Sequence, residues 1–407
     1  MPLPELVTSE ASVAAIARAC EEAGAIALDL EFVSQDRYRP DLALVQVAWK
    51  SGADVEVRLV DPLSVDVAPV IALCGGAVAV IVHAPRQDLQ ILASRFGLRA
   101  RRVFDTQTAA AFAQLGDQVG YARAVEAVIG EKLGKESQWT DWLRRPLVED
   151  QLRYADADVR YLPALAETLA GKLDALGRHE WALEESDAIA EVAYRAAMLA
   201  PDDAWREVGG VRHLDLDGRA AARRLAAWRL RAAEAQNKPV SWIIGDKAIV
   251  EIARVRPRDE KALRAVKLPE SARRYAAELI AAVAMAEQDP REGLELGTAL
   301  GLSGSGGTRA AVWEEIIIAL VQASSEETGI PARYLGTRGD VEDLARALEA
   351  RIAPASGGLV DLAWEEVAHP MLRGWRREVI GSKVLAWLRG DAALYADPSA
   401  TSGVRLR

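Results

Sequence analysis

Short apolar runs of strand length recur through the first third of this 407-residue chain and then stop. Four such runs have the composition of strands, and they cover residues 25–33, 42–49, 55–60 and 77–82. Residues 87–96 and 121–129 have helical periodicity instead. The alternation predicts an α/β domain at the start of the chain.

Beyond about Glu149 we expect a mostly α structure, because the strand signals vanish and amphipathic periodicity dominates. The predicted helices cover residues 148–175, 179–200, 220–235 and 271–286. Residues 200–203 (APDD) and Gly209-Gly210 interrupt the pattern and predict the end of the first domain. Residues 301–307 (GLSGSGG) have a linker composition, which predicts a further helical unit before a loosely ordered tail after Asp397.

Composition narrows the class of protein. A chain of 407 residues is long enough for two or three domains, and its 50% hydrophobic content is that of a folded protein. No leader and no apolar run of membrane length is evident, so we expect a cytoplasmic protein without membrane contact. Cys20 and Cys74 are too few for a zinc site or a disulfide framework. The net charge of −10 restricts nucleic-acid contacts to local patches or bound cations.

Two acids interrupt the first apolar run. Asp29 and Glu31 lie two residues apart in AIALDLEFV, so both side chains point to the same face of the predicted strand. Neighbouring buried carboxylates repel each other and lose hydration, and they persist only with compensating cations, hydrogen bonds or raised pKa values. The alternative is a strand end whose acids are solvated.

Two further segments carry acids that are ambiguous by themselves. Asp88 follows the strand AVAVIVHA at the start of a predicted helix, where an ordinary first-turn acid is the alternative to a ligand site. Tyr154 and Asp158 are four residues apart and share one helix face, which an exposed acid beside a packed Tyr also explains. His83 is interpreted as structural and is left out of the metal site.

The three acidic motifs, taken together in this order, identify a protein family more specifically than any one of them. Asp-x-Glu, a later Asp and Tyr-x-x-x-Asp resemble the DEDDy branch of the DEDD exonucleases. The resemblance to ribonuclease D extends over most of residues 25–165, through ALDLEFVSQDRYRPDLALVQVA, VHAPRQDLQIL, FDTQTAAAF and SQWTDWLRRPLVEDQLRYADADVRYL. It implies a ribonuclease H-like mixed sheet of about five strands, one of them antiparallel, flanked by helices. Pro85 departs from the usual loop and is expected to fix the entry to the Asp88 helix.

The same resemblance implies the chemistry. Asp29, Glu31, Asp88 and Asp158 would bind two divalent cations, and Tyr154 would orient the attacking water. Carboxylate oxygens suit Mg²⁺ or Mn²⁺ better than zinc. Two ions about 4 Å apart would support in-line attack on the terminal phosphodiester and release a nucleoside 5′-monophosphate. Four residues ahead of the Tyr154 helix are candidate nucleotide contacts, but Trp at such spacing is more often part of a core, so the predicted site excludes them: Lys135, Gln138, Trp139 and Trp142.

The helical half resembles HRDC domains. Residues 226–270 (AAWRLRAAEAQNKPVSWIIGDKAIVEIARVRPRDEKALRAVKLPE) resemble the first HRDC domain of ribonuclease D, and the region after the linker resembles a second. Residues 212–274 hold sixteen Lys and Arg against eight Asp and Glu, which favours a basic face for phosphate. The expected domains are an exonuclease at 1–205, HRDC domains at 210–291 and 292–395, and a tail at 396–407.

The resulting hypothesis is a monomeric 3′–5′ exoribonuclease that trims tRNA precursors and other structured RNA. An exonuclease acting on DNA remains open, because a metal site that attacks phosphate does not itself read the 2′-hydroxyl. The alternative of a different class is a catalytically silent RNA-binding scaffold.

Overall fold

A computed structural model describes residues 3–134, 140–294, 307–352 and 366–407. Two compact units are present: Met1–Ala109 with Val119–Leu294, and Ala110–Gln118 with Glu295–Arg407. Lys135, Gln138 and Trp139 lie outside the described residues, as do residues 301–306 of the expected linker. No helix among the described residues is long and apolar enough to span a membrane.

A six-stranded mixed sheet forms the centre of the first unit. Its spatial order is β1-β4-β3-β2-β5-β6, with β1 at Leu6–Val7, β2 at Ala25–Val33, β3 at Asp41–Ser51, β4 at Asp54–Val60, β5 at Ala79–Val82 and β6 at Val103–Asp105. Within this sheet β3 runs antiparallel to β2 and β4, and the remaining pairs are parallel. The four predicted strands are confirmed. The sequence pattern missed β1 and β6, which have only two and three residues.

The two faces of β2 serve different purposes. Ile26, Leu28 and Leu30 point into the main core, which helix α1 (Glu10–Ala23) also joins. The other face carries Ala25, Ala27, Asp29 and Glu31, because side chains alternate along a strand. Helices α6 (Glu149–Arg160) and α7 (Leu162–Ala175) pack against β3, and α6 also packs against β2.

The remaining helices of this part are α2 (Ala68–Ala72), α3 (Arg86–Phe96), α4 (Thr106–Phe112), α5 (Tyr121–Ile129) and α8 (His179–Ala197). The prediction of one helix over residues 148–175 was wrong, because α6 ends before Tyr161 and α7 begins at Leu162. Pro163 explains the break: it has no backbone N–H to continue α6 but fits the first turn of α7.

The first unit continues with α9 (Leu216–Gln236), α10 (Val240–Ile243), α11 (Asp246–Val255), α12 (Glu260–Ala265), α13 (Glu270–Arg273) and α14 (Ala276–Ala286). Helix α9 packs against both α11 and α14. The helix expected over residues 271–286 is divided, and a further interruption separates α10 from α11. Ile244 and Gly245 are extended between α10 and α11. Tyr275 separates α13 from α14, where its ring packs on Trp228 and its hydroxyl donates to Gln236.

The second unit contains α15 (Thr308–Thr328), α16 (Ala332–Leu335), α17 (Arg338–Ile352), α18 (Gly374–Arg376) and α19 (Ser382–Arg389). The expectation of a loosely ordered tail after Asp397 was wrong. Leu394–Ala396 (β7) and Val404–Leu406 (β8) form an antiparallel hairpin. Polar contacts hold its turn, because Glu326 accepts from the backbone N–H groups of Thr401 and Ser402 and Arg405 pairs with Asp397.

Candidate active site

Three carboxylates predicted for the site meet beside the sheet. Asp29 and Glu31 project from one face of β2, and Asp158 projects from α6, which packs on that strand. One ligand oxygen from each carboxylate lies within 4.8 Å of the others. β2 and α6 are far apart in sequence, so these acids become neighbours only in the folded chain.

Asp88 lies in the first turn of α3, as the sequence predicted. It does not belong to the tight group of three, but its charge raises the pKa values of both Asp29 and Glu31. The preceding loop is tightly bent at Ala84, whose φ is +52°, and Pro85 occupies the N-cap position of α3. Pro85 therefore lies at the entry to α3, and that it fixes this loop stays a prediction.

Burial dominates the electrostatics of this cluster. Loss of hydration, followed by repulsion from Asp88, Asp158 and Glu31, raises the pKa of Asp29 well above its usual range. Burial and then the charges of Asp158 and Asp88 raise the pKa of Glu31 to about 8. Burial also raises the pKa of Asp88 and that of Asp158 to about 7 each. The cluster therefore resists carrying four negative charges.

Tyr154 precedes Asp158 by one turn of α6 and completes the predicted set. Burial and then the charge of Asp158 raise the pKa of its phenol, and a hydrogen bond to Asp158 contributes. Its ring lies 6.0 Å from that of Trp142, which is only 3% exposed. Trp142 is thus a packing residue beside the site, in agreement with its exclusion as an exposed stacking platform.

His83 has a structural environment. Its Nδ1 lies 2.9 Å from the Thr106 hydroxyl, and its Nε2 lies 3.0 Å from the Val119 carbonyl oxygen. Both ring nitrogens therefore have protein partners, which agrees with its exclusion from the metal site. Its ring also packs on Tyr121, whose hydroxyl donates to the Ala157 carbonyl oxygen at 3.0 Å. These contacts connect the end of β5 to the turn of α6 that carries Asp158.

Sequence reasoning missed the side chains that support the carboxylates. Gln46 of β3 pairs directly with Asp29 across the sheet and is fully buried. Its side-chain atoms make no hydrogen bond of standard geometry, yet the carboxamide lies close enough to Glu31 to lower the pKa of that carboxyl group. A signal was available, since Gln46 is the single polar residue in the run LALVQVAW.

The residues present fit a divalent cation. The donors are all carboxylate oxygens, which suit hard cations such as Mg²⁺ or Mn²⁺. Asp158 Oδ2 is buried without a hydrogen-bond partner, so it is available as a ligand. A bound cation would also relieve the repulsion that raises the pKa values of these acids.

Two family models match the chain in separate regions. Residues 4–174 match the family described as 3′-5′ exonuclease, and residues 219–283 match the HRDC domain. The mixed sheet and the acidic site thus lie in the exonuclease region, and α9 to α14 supply the HRDC region. Fold and site together define a 3′–5′ exonuclease followed by an HRDC domain.

Comparison over the full length specifies the family. The chain is 33% identical over 404 residues to ribonuclease D of Granulibacter bethesdensis, covering 97% of this chain and 95% of that protein. It is 31% identical to ribonuclease D of Jannaschia sp., covering 97% of each. The crystal structure of Escherichia coli RNase D matches with a TM-score of 0.79 and 28% identity, over 96% of this chain and 99% of that chain. The chain belongs to the ribonuclease D family and is an exoribonuclease.

Proposed function

We propose that this exoribonuclease removes nucleotides singly from RNA 3′ ends by two-metal-ion hydrolysis and releases nucleoside 5′-monophosphates. The observation that carries the proposal is the convergence of Asp29, Glu31 and Asp158 within 4.8 Å, with Tyr154 one helical turn from Asp158. In this proposal Asp29, Glu31, Asp88 and Asp158 hold Mg²⁺ or Mn²⁺. Bound there, the cations supply Lewis-acid stabilisation of the charge that develops on the attacked phosphate and on the departing 3′ oxygen.

The chain's own groups prepare the attack. The raised pKa of Tyr154 keeps its phenol protonated at neutral pH, so the hydroxyl orients a water molecule by hydrogen bonding and does not act as a strong base. The packing of its ring against Trp142 limits the directions in which the hydroxyl can point. Tyr121 holds the α6 turn that carries Asp158 through its bond to the Ala157 carbonyl. Fixed geometry of this kind lowers the entropic part of the barrier.

The substrate proposal is structured RNA, with tRNA precursors as the leading class. The E. coli relative is described as an exoribonuclease involved in structured RNA processing. The excess of Lys and Arg in residues 212–274 supports phosphate contacts by the HRDC region of an otherwise acidic chain. Arg231, Lys238 and Lys247 are exposed or half-exposed in this region, and Lys238 lies over the exposed ring of Trp242.

The domain proposal keeps the expected boundaries: exonuclease 1–205, HRDC domains 210–291 and 292–395, and a tail from 396. Helices α15, α17 and α19 support a second HRDC-like domain. We also propose that the protein acts as a monomer, since all five residues of the proposed site belong to one chain.

Digestion of a matched RNA and DNA hairpin, each with a 3′ overhang, tests the proposal. The expected result is a single-nucleotide ladder from the RNA 3′ end that requires Mn²⁺ or Mg²⁺ and disappears with chelator. Equal digestion of the DNA would show that the protein is an exonuclease that acts on both RNA and DNA. Tight RNA binding without release of monophosphates would identify a silent scaffold.

A further inference from the structure

Gln46 lies where an apolar residue would be expected. It is the polar residue of β3 in the run LALVQVAW, and its side chain is completely buried. Burying a carboxamide is unfavourable unless both of its polar ends find partners. Neither the Oε1 nor the Nε2 atom of Gln46 makes a hydrogen bond of standard geometry to any residue that the structure describes. A Leu or Met would fill this place in the sheet without that penalty.

The register of the sheet directs this amide towards the carboxylates. Gln46 pairs with Asp29, and Leu44, two residues earlier on β3, pairs with Glu31, so the side chain of Gln46 lies on the face of the sheet that carries both acids. The neighbouring residues of β3, Val45 and Val47, point into the core on the opposite face. The buried carboxamide of Gln46 therefore lies on the sheet beside the carboxylates of Asp29 and Glu31.

We propose that Gln46 is a positioning residue of the metal site: its amide N–H donates to the Glu31 carboxylate and fixes the oxygen that Glu31 presents to a bound cation. The inference rests on the proposed function, because it takes Glu31 as a metal ligand. An amide suits this role since it offers two N–H donors to a carboxylate without adding charge. Groups that orient metal ligands from behind typically change metal affinity when they are removed.

Manganese binding by the RNA-free protein tests the inference without any catalytic readout. Gln46→Met keeps the length of the side chain and removes its hydrogen-bonding groups. We expect the Mn²⁺ Kd, measured by electron paramagnetic resonance, to rise about 10-fold to 100-fold. The melting temperature of the metal-free protein should stay the same or increase, because an apolar side chain replaces a buried carboxamide whose contacts fall short of standard hydrogen-bond geometry. Gln46→Leu provides a second apolar variant if the Met variant does not fold.

A matched control separates positioning from packing. Val47→Ala alters the same strand on its opposite face, so it should lower the melting temperature and leave the Mn²⁺ Kd unchanged. A Kd that rises less than threefold in both Gln46 variants overturns the inference. Failure of the proposed function looks different: the wild-type protein would then not bind Mn²⁺ at the site, or Asp29→Asn would leave its binding intact.

Discussion

Arg145 binds the buried Asp61 carboxylate at two points, with Nη2 2.7 Å from Oδ1 and Nε 2.9 Å from Oδ2. The same guanidinium donates to the carbonyl oxygens of Ala43 and Trp142. Burial would raise the pKa of Asp61, but the hydrogen bonds from Arg145, the Leu63 N–H and Ser64 lower it below its usual range. This ion pair and the bond to Ala43 hold the segment that leads into α6 against the end of β4 and the start of β3.

Removing the buried carboxylate should therefore destabilise the first unit. Asp61→Ala leaves Arg145 without its counter-charge, and we expect the free energy of unfolding to fall by about 2 to 3 kcal/mol. Urea unfolding followed by tryptophan fluorescence measures the change. Glu149→Ala is the control, because its pair with Arg153 is exposed and should contribute less than about 0.5 kcal/mol. Equal effects of the two substitutions would contradict this interpretation.

The phenol of Tyr154 should matter for turnover more than for binding. Tyr154→Phe keeps the ring that packs on Trp142 and removes only the hydroxyl. We expect kcat on an RNA overhang to fall about 100-fold while KM changes less than threefold. Tyr161→Phe at the end of the same helix is the control and should retain activity. A Tyr154→Phe enzyme with wild-type kcat would remove the proposed role in orienting water.

Stability without metal should decrease as pH rises. The folded pKa of Glu31 is about 8 and those of Asp88 and Asp158 are about 7, all above the ordinary values of about 4. The folded protein therefore binds more protons than the unfolded chain between about pH 4 and pH 8, so its stability falls as pH rises through this window. The melting temperature in chelator should be lower at pH 8 than at pH 6.

Two comparisons connect this pH dependence to the site. Asp29→Asn removes one carboxyl group whose pKa is raised by burial and by its acidic neighbours, so the melting temperature of that variant should change less between pH 6 and pH 8. Saturating Mn²⁺ should also reduce the difference, because cation binding favours the ionised carboxylates. If the two proteins show the same pH dependence in chelator, the carboxylate cluster is not its source.

The sequence predicted those parts of the fold and site that depend on local pattern. The alternation around Asp29 and Glu31 indicated a shared strand face, and the spacing of Tyr154 and Asp158 indicated a shared helix face. Short elements were missed, since β1 and β6 are too short to show periodicity. The hairpin of β7 and β8 was missed for the same reason, because each strand has three residues.

The supporting side chains depend on contacts that no local pattern specifies. Tyr121 donates a hydrogen bond to the Ala157 carbonyl oxygen, 36 residues away in sequence, and Arg145 donates to the Asp61 carboxylate, 84 residues away. Gln46 was visible as a polar residue in an apolar run, but the pairing with Asp29 comes from the register of the sheet. The helix break at Tyr275 likewise reflects tertiary packing, which amphipathic periodicity does not show. The break at Tyr161 differs, because Pro163 marks it in the sequence although the amphipathic pattern continues across it.

Release of nucleoside 5′-monophosphate from a 3′-overhanging RNA, compared between wild type, Asp29→Asn and Asp156→Asn, shows whether the carboxylate cluster is required for hydrolysis. Asp156 is the matched control, because it lies on α6 near Asp158 but pairs with Arg160. With RNA binding and folding verified for each protein, Asp29→Asn should lose at least about 1,000-fold in rate, and Asp156→Asn should stay near wild type. Wild-type release of monophosphates by Asp29→Asn would contradict the account.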